Sequence, residues 1–289
     1  MQISLPPLCA GTLYLVATPI GNLEDITARA LRILRAVALI AAEDTRRTSH
    51  LLARYSISTP TTSLHEHNEH RKTAALIDRL MRGENVALVS DAGTPVVSDP
   101  GQHLIRTAID SGIRVESIPG PSAVMAALAV SGLAADAFTF LGFPPIRSKD
   151  RAAWFQRLSV SHGTVVFFEA PHRIRPTLEE LLSKVGDRPA VICRELTKVH
   201  ETLVRGPIST VIRSAEGAQG ELTVVLDIGS MPELSSREQT SERELAIEFG
   251  EITESEGLTK RKAINVLARR HGRPPNEIYK AVERGRKLV

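Results

Sequence analysis

Two loops rich in glycine and small polar residues carry the side chains best suited to chemistry. The first runs Ser-Asp-Ala-Gly-Thr-Pro over residues 90–95 and continues as Ser-Asp-Pro-Gly over 98–101; the second is Pro-Gly-Pro-Ser over 119–122. Carboxylates and hydroxyls supply polar contacts, and glycine lets a ligand approach the backbone closely. These loops therefore indicate ligand binding. The alternative is a pair of plain turns in which Asp99 and Ser122 only cap helices.

Two further charged segments have competing interpretations. The run His-Glu-His-Asn-Glu-His over residues 65–70 contains ordinary metal ligands, but its spacing fits neither His-Glu-x-x-His nor a zinc finger. A solvated polar segment without metal is favoured. Glu43-Asp44 with Arg46-Arg47 is either a surface charge cluster or a group that positions substrate near a ligand-binding cleft.

Composition and absent motifs exclude several classes of protein. No Walker loop, dinucleotide fingerprint or Gly-x-Ser-x-Gly elbow is present. A hydrophobic fraction of 42% with 24% charged residues is typical of a packed protein. Cys9 and Cys193 are too few for a disulfide framework, and no apolar run approaches the ~18 residues that span a bilayer. We therefore expect a cytoplasmic protein with no membrane partner.

The loops follow short apolar runs that alternate with stretches of helical period between Gly11 and Ser131. This alternation predicts βαβ units around a parallel sheet, in which ligand loops lie at the carboxyl ends of the strands. The strands predicted in this half are Leu13–Ala17, Leu39–Ala42, Val86–Ser90 and Arg114–Ile118.

The second half predicts a mixed or partly antiparallel sheet, because short glycine-containing turns separate its strands. Helices are expected after Pro171 and near Pro207. We place α/β domains at residues 1–119 and 120–230. Phe138–Phe143 is interpreted as a segment that crosses between the two domains. The strands predicted here are Thr164–Phe168, Ala190–Arg194, Glu201–Val204 and Glu221–Ile228.

The formal net charge of +3 conceals a polarised tail. Residues 231–256 hold eight Glu and two Arg, a net of −6, whereas residues 257–289 hold ten Lys or Arg and two Glu, a net of +8. After a polar linker at 230–239, a helical hairpin is predicted in a small domain at 240–289. Clustered cations favour nucleic-acid binding, while a solubilising hairpin paired with the acidic stretch is about equally well supported.

Six ordered segments together resemble the tetrapyrrole methylase superfamily of class III methyltransferases. The resemblance is strongest to the branch that methylates the 2′-oxygen of a cytidine ribose in small-subunit rRNA. The segments are Ala-Thr-Pro-Ile-Gly-Asn-Leu (17–23), Ala-Glu-Asp-Thr-Arg (42–46), Ser-Asp-Ala-Gly-Thr-Pro (90–95), Pro-Gly-Pro-Ser-Ala (119–123), Phe-Glu-Ala-Pro-His-Arg (168–173) and Gly-Glu-Leu-Thr-Val (220–224).

The resemblance implies two α/β domains of the tetrapyrrole methylase type, S-adenosylmethionine in the cleft between them, and a homodimer. It also implies the 30S subunit as partner, with a cytidine in the decoding region of 16S rRNA as the target. By matched position, the residues implied to bind S-adenosylmethionine are Pro19, Asp91, Gly93, Thr94, Ser122, Ala123, Leu141 and Glu169.

A ribose hydroxyl is weakly acidic, so a general base is expected. Glu169 and His172 are the predicted catalytic residues, and Glu195, Lys198 and the histidines of residues 65–70 are further candidates. Two other functions stay open: methylation of a small tetrapyrrole, and ribosome binding without catalysis. The residues predicted to contact RNA are His65, His67, Arg173, Arg194, Lys260, Arg261, Arg269 and Arg270.

Overall fold

A computed structural model describes residues 10–214, 220–229, 242–255, 258–271 and 274–286. The chain forms two compact units, residues 1–229 and 230–289. None of the described helices is both long and apolar enough to cross a bilayer.

The first sheet of the larger unit is fully parallel, with strand order β3-β2-β4-β1-β5. Its central strands β2 and β4 are buried along their whole length, as expected for a sheet covered by helices on both faces. The elements are β1 Thr12–Val16, α1 Ala28–Ala36, β2 Leu39–Ala42, α2 Thr45–Arg54, β3 Thr61–Ser63, α3 Glu69–Met81, β4 Val86–Val89, α4 Gln102–Asp110 and β5 Arg114–Ile118.

The second sheet has the order β6-β7-β10-β8-β9, with only β6 and β7 parallel. The predicted mixed sheet is thus confirmed. Trp154, Phe155 and Phe167 are fully buried in its core. The elements are α5 Ala123–Ser131, β6 Phe138–Phe140, α6 Ser148–Ser159, β7 Thr164–Glu169, α7 Pro171–Val185, β8 Pro189–Arg194, β9 Thr202–Pro207, α8 Ile208–Ser214 and β10 Leu222–Asp227.

The smaller unit contains three described helices rather than the predicted hairpin: α9 Glu242–Ser255, α10 Lys260–His271 and α11 Pro275–Gly285. The two predicted helices are confirmed as α10 and α11. The additional helix α9 buries Leu245, Phe249 and Ile252, spaced by four and three residues, against α10 and α11. Gly285 allows close packing, because a Cβ there would lie 1.8 Å from the Glu242 carbonyl oxygen. The part of the acidic stretch that forms α9 therefore contributes to the core of this unit.

Candidate active site

The loops that follow β1 and β4 are fastened together at the carboxyl edge of the first sheet. Thr18 and Gly93 exchange two backbone hydrogen bonds, each of 2.9 Å. The Glu43 amide, after β2, donates to the Val89 carbonyl at 3.3 Å. Residues from three adjacent strand ends are therefore held in fixed positions around one edge, where parallel sheets place ligand sites.

The loop between β4 and α4 contains backbone conformations that side chains rarely adopt. Gly93, Val96, Ser98 and Gly101 have φ values of 77°, 74°, 68° and 122°. Val96 is β-branched, for which a positive φ is a genuine outlier. At Gly101 a Cβ would lie 2.6 Å from the Leu88 Cδ2 atom, so glycine is needed there. Strain of this kind concentrates at functional sites, which favours ligand binding by this loop over a plain turn.

Asp99 does not cap the helix that follows it. The N-cap of α4 is Gly101, which makes no side-chain capping bond. The Glu69 carboxylate accepts instead from the His103 and Leu104 amides, at 2.8 and 3.1 Å. The capping interpretation of Asp99 is therefore wrong, and its carboxylate is available to the cleft.

Ser122 both caps a helix and lines the cleft, so the two interpretations of its sequence position hold together. Its hydroxyl accepts from the Met125 amide at 3.4 Å and so caps α5. The residue also lines the cleft. A helix N-terminus in this position presents backbone N–H groups to an anionic part of a ligand.

A cavity of about 390 Å³ opens between these loops and the end of the second sheet. This volume falls within the ~300–1,000 Å³ typical of small-molecule sites. Of the residues predicted for the cofactor, Pro19 and Leu141 do not line it. The predicted residues in its wall are Asp91, Gly93, Thr94, Ser122, Ala123 and Glu169, joined among others by Glu43, Arg47, Asp99, Phe168, Leu196 and Glu221.

The cavity wall is rich in carboxylates, and two of them accept hydrogen bonds from backbone amides of neighbouring acidic residues. The Asp91 amide donates to Glu43 Oε2 at 3.3 Å, and Asp91 Oδ1 accepts from the Asp44 amide at 3.0 Å. Arg47 lies 3.4 Å from Asp91 Oδ2. Burial raises the pKa of Glu43. Burial, followed by the neighbouring Glu43, also raises the pKa of Asp99 to about 6. Concentrated negative charge of this kind complements a cationic ligand.

Asp99→Asn is expected to raise the melting temperature at about pH 8. Because the folded pKa of Asp99 lies above the ordinary value of 3.8, the folded state binds this proton more tightly than the unfolded state. Stability therefore falls as pH rises through that window, and removing the charge restores it. Thermal denaturation should show the gain at pH 8 and its decline between about pH 6 and pH 4. The exposed Asp110→Asn on α4 is the matched control; equal pH profiles in the two variants would contradict this account.

Glu169 lines the cavity but is fully engaged with its neighbours. Its Oε1 accepts from the Ala170 amide and from Arg173 Nε, both at 2.7 Å, and its Oε2 accepts from Thr177 Oγ1 at 2.7 Å. Arg173 also donates to the Pro144 carbonyl at 2.5 Å. These contacts connect the end of β7 to α7 and to the Pro144 carbonyl. The roles predicted for Glu169 in catalysis and cofactor binding, and for Arg173 in RNA binding, stay predictions. His172 is exposed and does not line the cavity.

The other residues predicted to contact RNA lie outside the cavity. Arg194 Nε donates to Thr202 Oγ1 on β9 at 2.9 Å. His65 pairs with Asn68 at the start of α3, with 2.9 Å between Nε2 and Nδ2. The His67 ring packs edge-on against the His65 ring. Within the described ranges, no three His, Cys, Asp or Glu side chains are grouped as metal ligands. Lys260, Arg261 and Arg270 belong to the smaller unit; the Arg269 side chain lies outside the described residues.

Sequence reasoning left Asp99 open between ligand binding and helix capping, and it also left Glu43 and Arg47 undecided. The signal that could have placed the latter two in the cleft was their position: Glu43 directly follows β2 and Arg47 lies in the first turn of α2. Because β2 and β4 are neighbours in the sheet, these residues lie beside the loop that follows β4. For Asp99 the signal was its place in the loop of residues 90–101.

Comparison with known proteins assigns most of the chain to the superfamily that its six sequence segments resemble. Residues 12–212 match the family model of tetrapyrrole (corrin/porphyrin) methylases. A relative from Synechocystis, named ribosomal RNA small subunit methyltransferase I, is 44% identical over 93% of this chain and 96% of its own length. Relatives of the same name from Bacillus subtilis and Escherichia coli O157:H7 are 42% and 40% identical, over 94% and 93% of this chain and 94% of each relative.

Solved structures share the fold at low sequence identity. Diphthine synthase superposes with a TM-score of 0.61 at 18% identity, over 75% of this chain and 90% of that one. Uroporphyrin-III C-methyltransferase from Thermus thermophilus superposes with a TM-score of 0.56 at 23% identity, over 75% and 94%. The strand order, the cavity and these matches agree: the chain has the tetrapyrrole methylase fold and belongs to that family, within the group of the ribosomal RNA small subunit methyltransferases I.

Proposed function

We propose that this chain transfers a methyl group from S-adenosylmethionine to the 2′-oxygen of a cytidine ribose in 16S rRNA of the 30S subunit. The observation that carries the proposal is the carboxylate-lined cavity at the strand ends of a chain whose relatives are named small-subunit rRNA methyltransferases. The predicted homodimer rests on the resemblance and the predicted cytoplasmic location rests on composition; both stay predictions.

The residues of the cavity fit S-adenosylmethionine. This molecule carries an ammonium, a sulfonium and one carboxylate, and the carboxylates of Glu43 and Asp91 match its excess of positive charge. Asp91 would hold the ammonium, and the N-terminus of α5 at Ser122 would receive the carboxylate. The apolar side chains of Ile20, Val124 and Leu196 offer a surface for the adenine ring. The bound molecule supplies an activated methyl group, so the protein's task is alignment and proton removal.

The same wall disfavours a small tetrapyrrole as the methyl acceptor. Uroporphyrinogen-type substrates carry several carboxylates, which would meet Glu43, Asp91 and Asp99 with Arg47 as the nearby cation. A ribose entering from RNA presents neutral hydroxyls, while its phosphates can stay outside the cavity.

The cations of the smaller unit divide into two sets, one paired with acidic residues of α9 and one without such partners among the described residues. The second set supports an RNA substrate. Arg270 and Arg284 are neutralised by acidic residues of α9: Arg270 lies 2.5 Å from Glu248, and Arg284 lies 3.2 Å from Glu242. This pairing was the basis of the solubilising-hairpin interpretation.

The second set of cations lines a groove of about 560 Å³ within this unit. Lys260 and Arg261 are exposed on its rim, with no carboxylate among the described residues at ion-pair distance, and the 57% exposed Tyr279 lies in the same groove. Free cations bind phosphate through counterion release, and an exposed aromatic ring can stack on a base. We therefore place the RNA contact of this unit on Lys260, Arg261 and Tyr279 rather than on Arg270.

Charge reversal on this rim is expected to weaken binding to 30S subunits. The double variant Lys260→Glu, Arg261→Glu removes two phosphate contacts, so the salt dependence of the association constant should become shallower by about two units of log–log slope. Filter binding across a salt series measures both quantities. Lys280→Glu is the control, because Lys280 is exposed on α11 but outside the groove. A similar loss with the control would show that net charge alone matters.

Transfer of a labelled methyl group from S-adenosylmethionine tests the proposal against its rivals. The acceptors are 30S subunits that lack methylation by this enzyme class, and uroporphyrinogen III in a parallel reaction. Label in 16S rRNA supports the proposal, and label in the tetrapyrrole supports the rival activity. Binding to 30S subunits without transfer to either acceptor would indicate a non-catalytic ribosome-binding protein.

A further inference from the structure

The five carboxylates that line the cavity differ in how far they are already engaged. Glu169 accepts three hydrogen bonds and pairs with Arg173. Asp91 accepts from the Asp44 amide and faces Arg47 at 3.4 Å. Glu43 accepts from the Asp91 amide. Glu221 lies 3.5 Å from Lys198 with its side chain 67% exposed.

Asp99 is the exception among these groups. Within the described residues it has no cation at ion-pair distance, and its neighbours are the Ser90 hydroxyl and the carboxylates of Glu43 and Asp91. It lies on the same loop as Asp91, Gly93 and Thr94, with Ser98 beside it in the cavity wall. The positive φ values of Val96, Ser98 and Gly101 set the path of the loop around it, and Glu69 caps α4 in its place. A loop with strained backbone thus places in the cleft a carboxylate that has no ion-pair partner among the described residues.

The other base candidates are less suited to this role. His172 is exposed outside the cavity. Glu195 accepts from Lys198 Nζ and from the Glu221 amide, both at 2.9 Å, and Lys198 is held by that pair. His65 and His67 lie near the start of α3, outside the cavity wall.

We propose that Asp99 is the general base that removes the proton from the ribose 2′-hydroxyl during methyl transfer. This inference rests on the proposed function. As Asp99 accepts the proton, a lone pair of the 2′-oxygen forms the bond to the methyl carbon. The electron pair of the carbon–sulfur bond leaves with sulfur, so the sulfonium becomes a neutral thioether. The proton on Asp99 is afterwards released to solvent.

The electrostatic surroundings suit Asp99 to this task. A base works best when its pKa is close to the working pH. Burial and the Glu43 charge raise the pKa of Asp99 to about 6, so it is ionised at neutral pH and yet more basic than an ordinary aspartate. The charged groups that face this part of the cavity are Glu43 after β2, Arg47 on α2, Asp91 on the same loop, and Glu169 and Glu221 from the second sheet. Glu43 is thus a positioning residue that acts through Asp99.

The test is single-turnover methylation of 30S subunits across pH by the full chain, with S-adenosylmethionine binding measured separately by calorimetry. Wild type should show an acid limb near pH 6. Asp99→Asn should lower the rate about 100-fold or more and abolish the limb, while the dissociation constant for S-adenosylmethionine stays unchanged. Asp99→Glu should restore part of the rate. Glu43→Gln should move the limb to lower pH, because one negative neighbour of Asp99 is removed.

A readout independent of activity is the titration of Asp99 itself, followed by carboxyl ¹³C NMR with Asp99→Asn for assignment. A midpoint near pH 6 is expected, and an ordinary midpoint near 3.8 would overturn the proposal. A rate for Asp99→Asn equal to that of the exposed control Asp110→Asn would also overturn it. Loss of cofactor affinity in Asp99→Asn would instead make Asp99 a cofactor ligand and equally overturn the base role. If wild type forms no 2′-O-methylcytidine, the proposed function fails and this inference falls with it.

Discussion

Glu169→Ala is expected to lower the free energy of unfolding by about 3–5 kcal/mol, the largest effect of any single change considered. The carboxylate is completely buried, whereas the Arg173 side chain that pairs with it is 21% exposed. Removing the carboxylate leaves the Arg173 charge, the Thr177 hydroxyl and the Ala170 amide without this acceptor in a poorly solvated place. Thermal and urea denaturation would measure the loss.

The control for this change is Glu179→Ala on α7, the helix that carries Arg173. Glu179 pairs with Arg175 at 3.0 Å, and both side chains are about half exposed. Such surface pairs contribute about 0–1 kcal/mol. Equal losses in the two variants would mean that Glu169 does not hold the end of β7 to α7, and would restore it as a candidate for catalysis.

Asp91→Asn is expected to weaken S-adenosylmethionine binding by about 10- to 100-fold, since a hydrogen bond to a charged group contributes ~1.5–3 kcal/mol. The asparagine keeps the shape of the side chain and an oxygen that can accept from the Asp44 amide. It loses the charge that would pair with the ammonium group. Isothermal titration calorimetry measures the dissociation constant.

Circular dichroism checks that Asp91→Asn remains folded, and Asp110→Asn serves as the matched control. Asp110 lies on α4 with its side chain 65% exposed, so its dissociation constant should equal that of wild type. If Asp91→Asn binds as tightly as this control, Asp91 does not contact the methyl donor.

Most of the regular structure could be predicted from hydrophobic patterning. The strands Leu39–Ala42 and Arg114–Ile118 were predicted with the bounds that the structure shows, and the other predicted strands differ by a few residues at their ends. β3 was missed because Thr61–Ser63 is a short edge strand of hydroxyl residues without an apolar pattern. α9 was missed because its many glutamates obscured the spacing of Leu245, Phe249 and Ile252.

The site was predictable as far as its loops, but not in its individual roles. The segments after β1, β4 and β5 pointed to one edge because parallel strands bring their carboxyl ends together. The sequence left helix capping open as an alternative role for Asp99, because the actual cap, Glu69, lies 34 residues from His103 and only tertiary packing brings it there. Glu169 and Arg173 are four residues apart, but Glu169 ends a strand, so helical spacing gave no sign of their pairing.

The most direct test of the account is to map the modified nucleoside after the reaction. Unmethylated 30S subunits would be incubated with the full chain and S-adenosylmethionine, and nuclease fragments of the 16S rRNA would be analysed by mass spectrometry. The account predicts one new 2′-O-methylcytidine in the decoding region and a markedly reduced yield with Asp99→Asn. A methyl group on a base, on another nucleoside, or on no residue of the rRNA would contradict it.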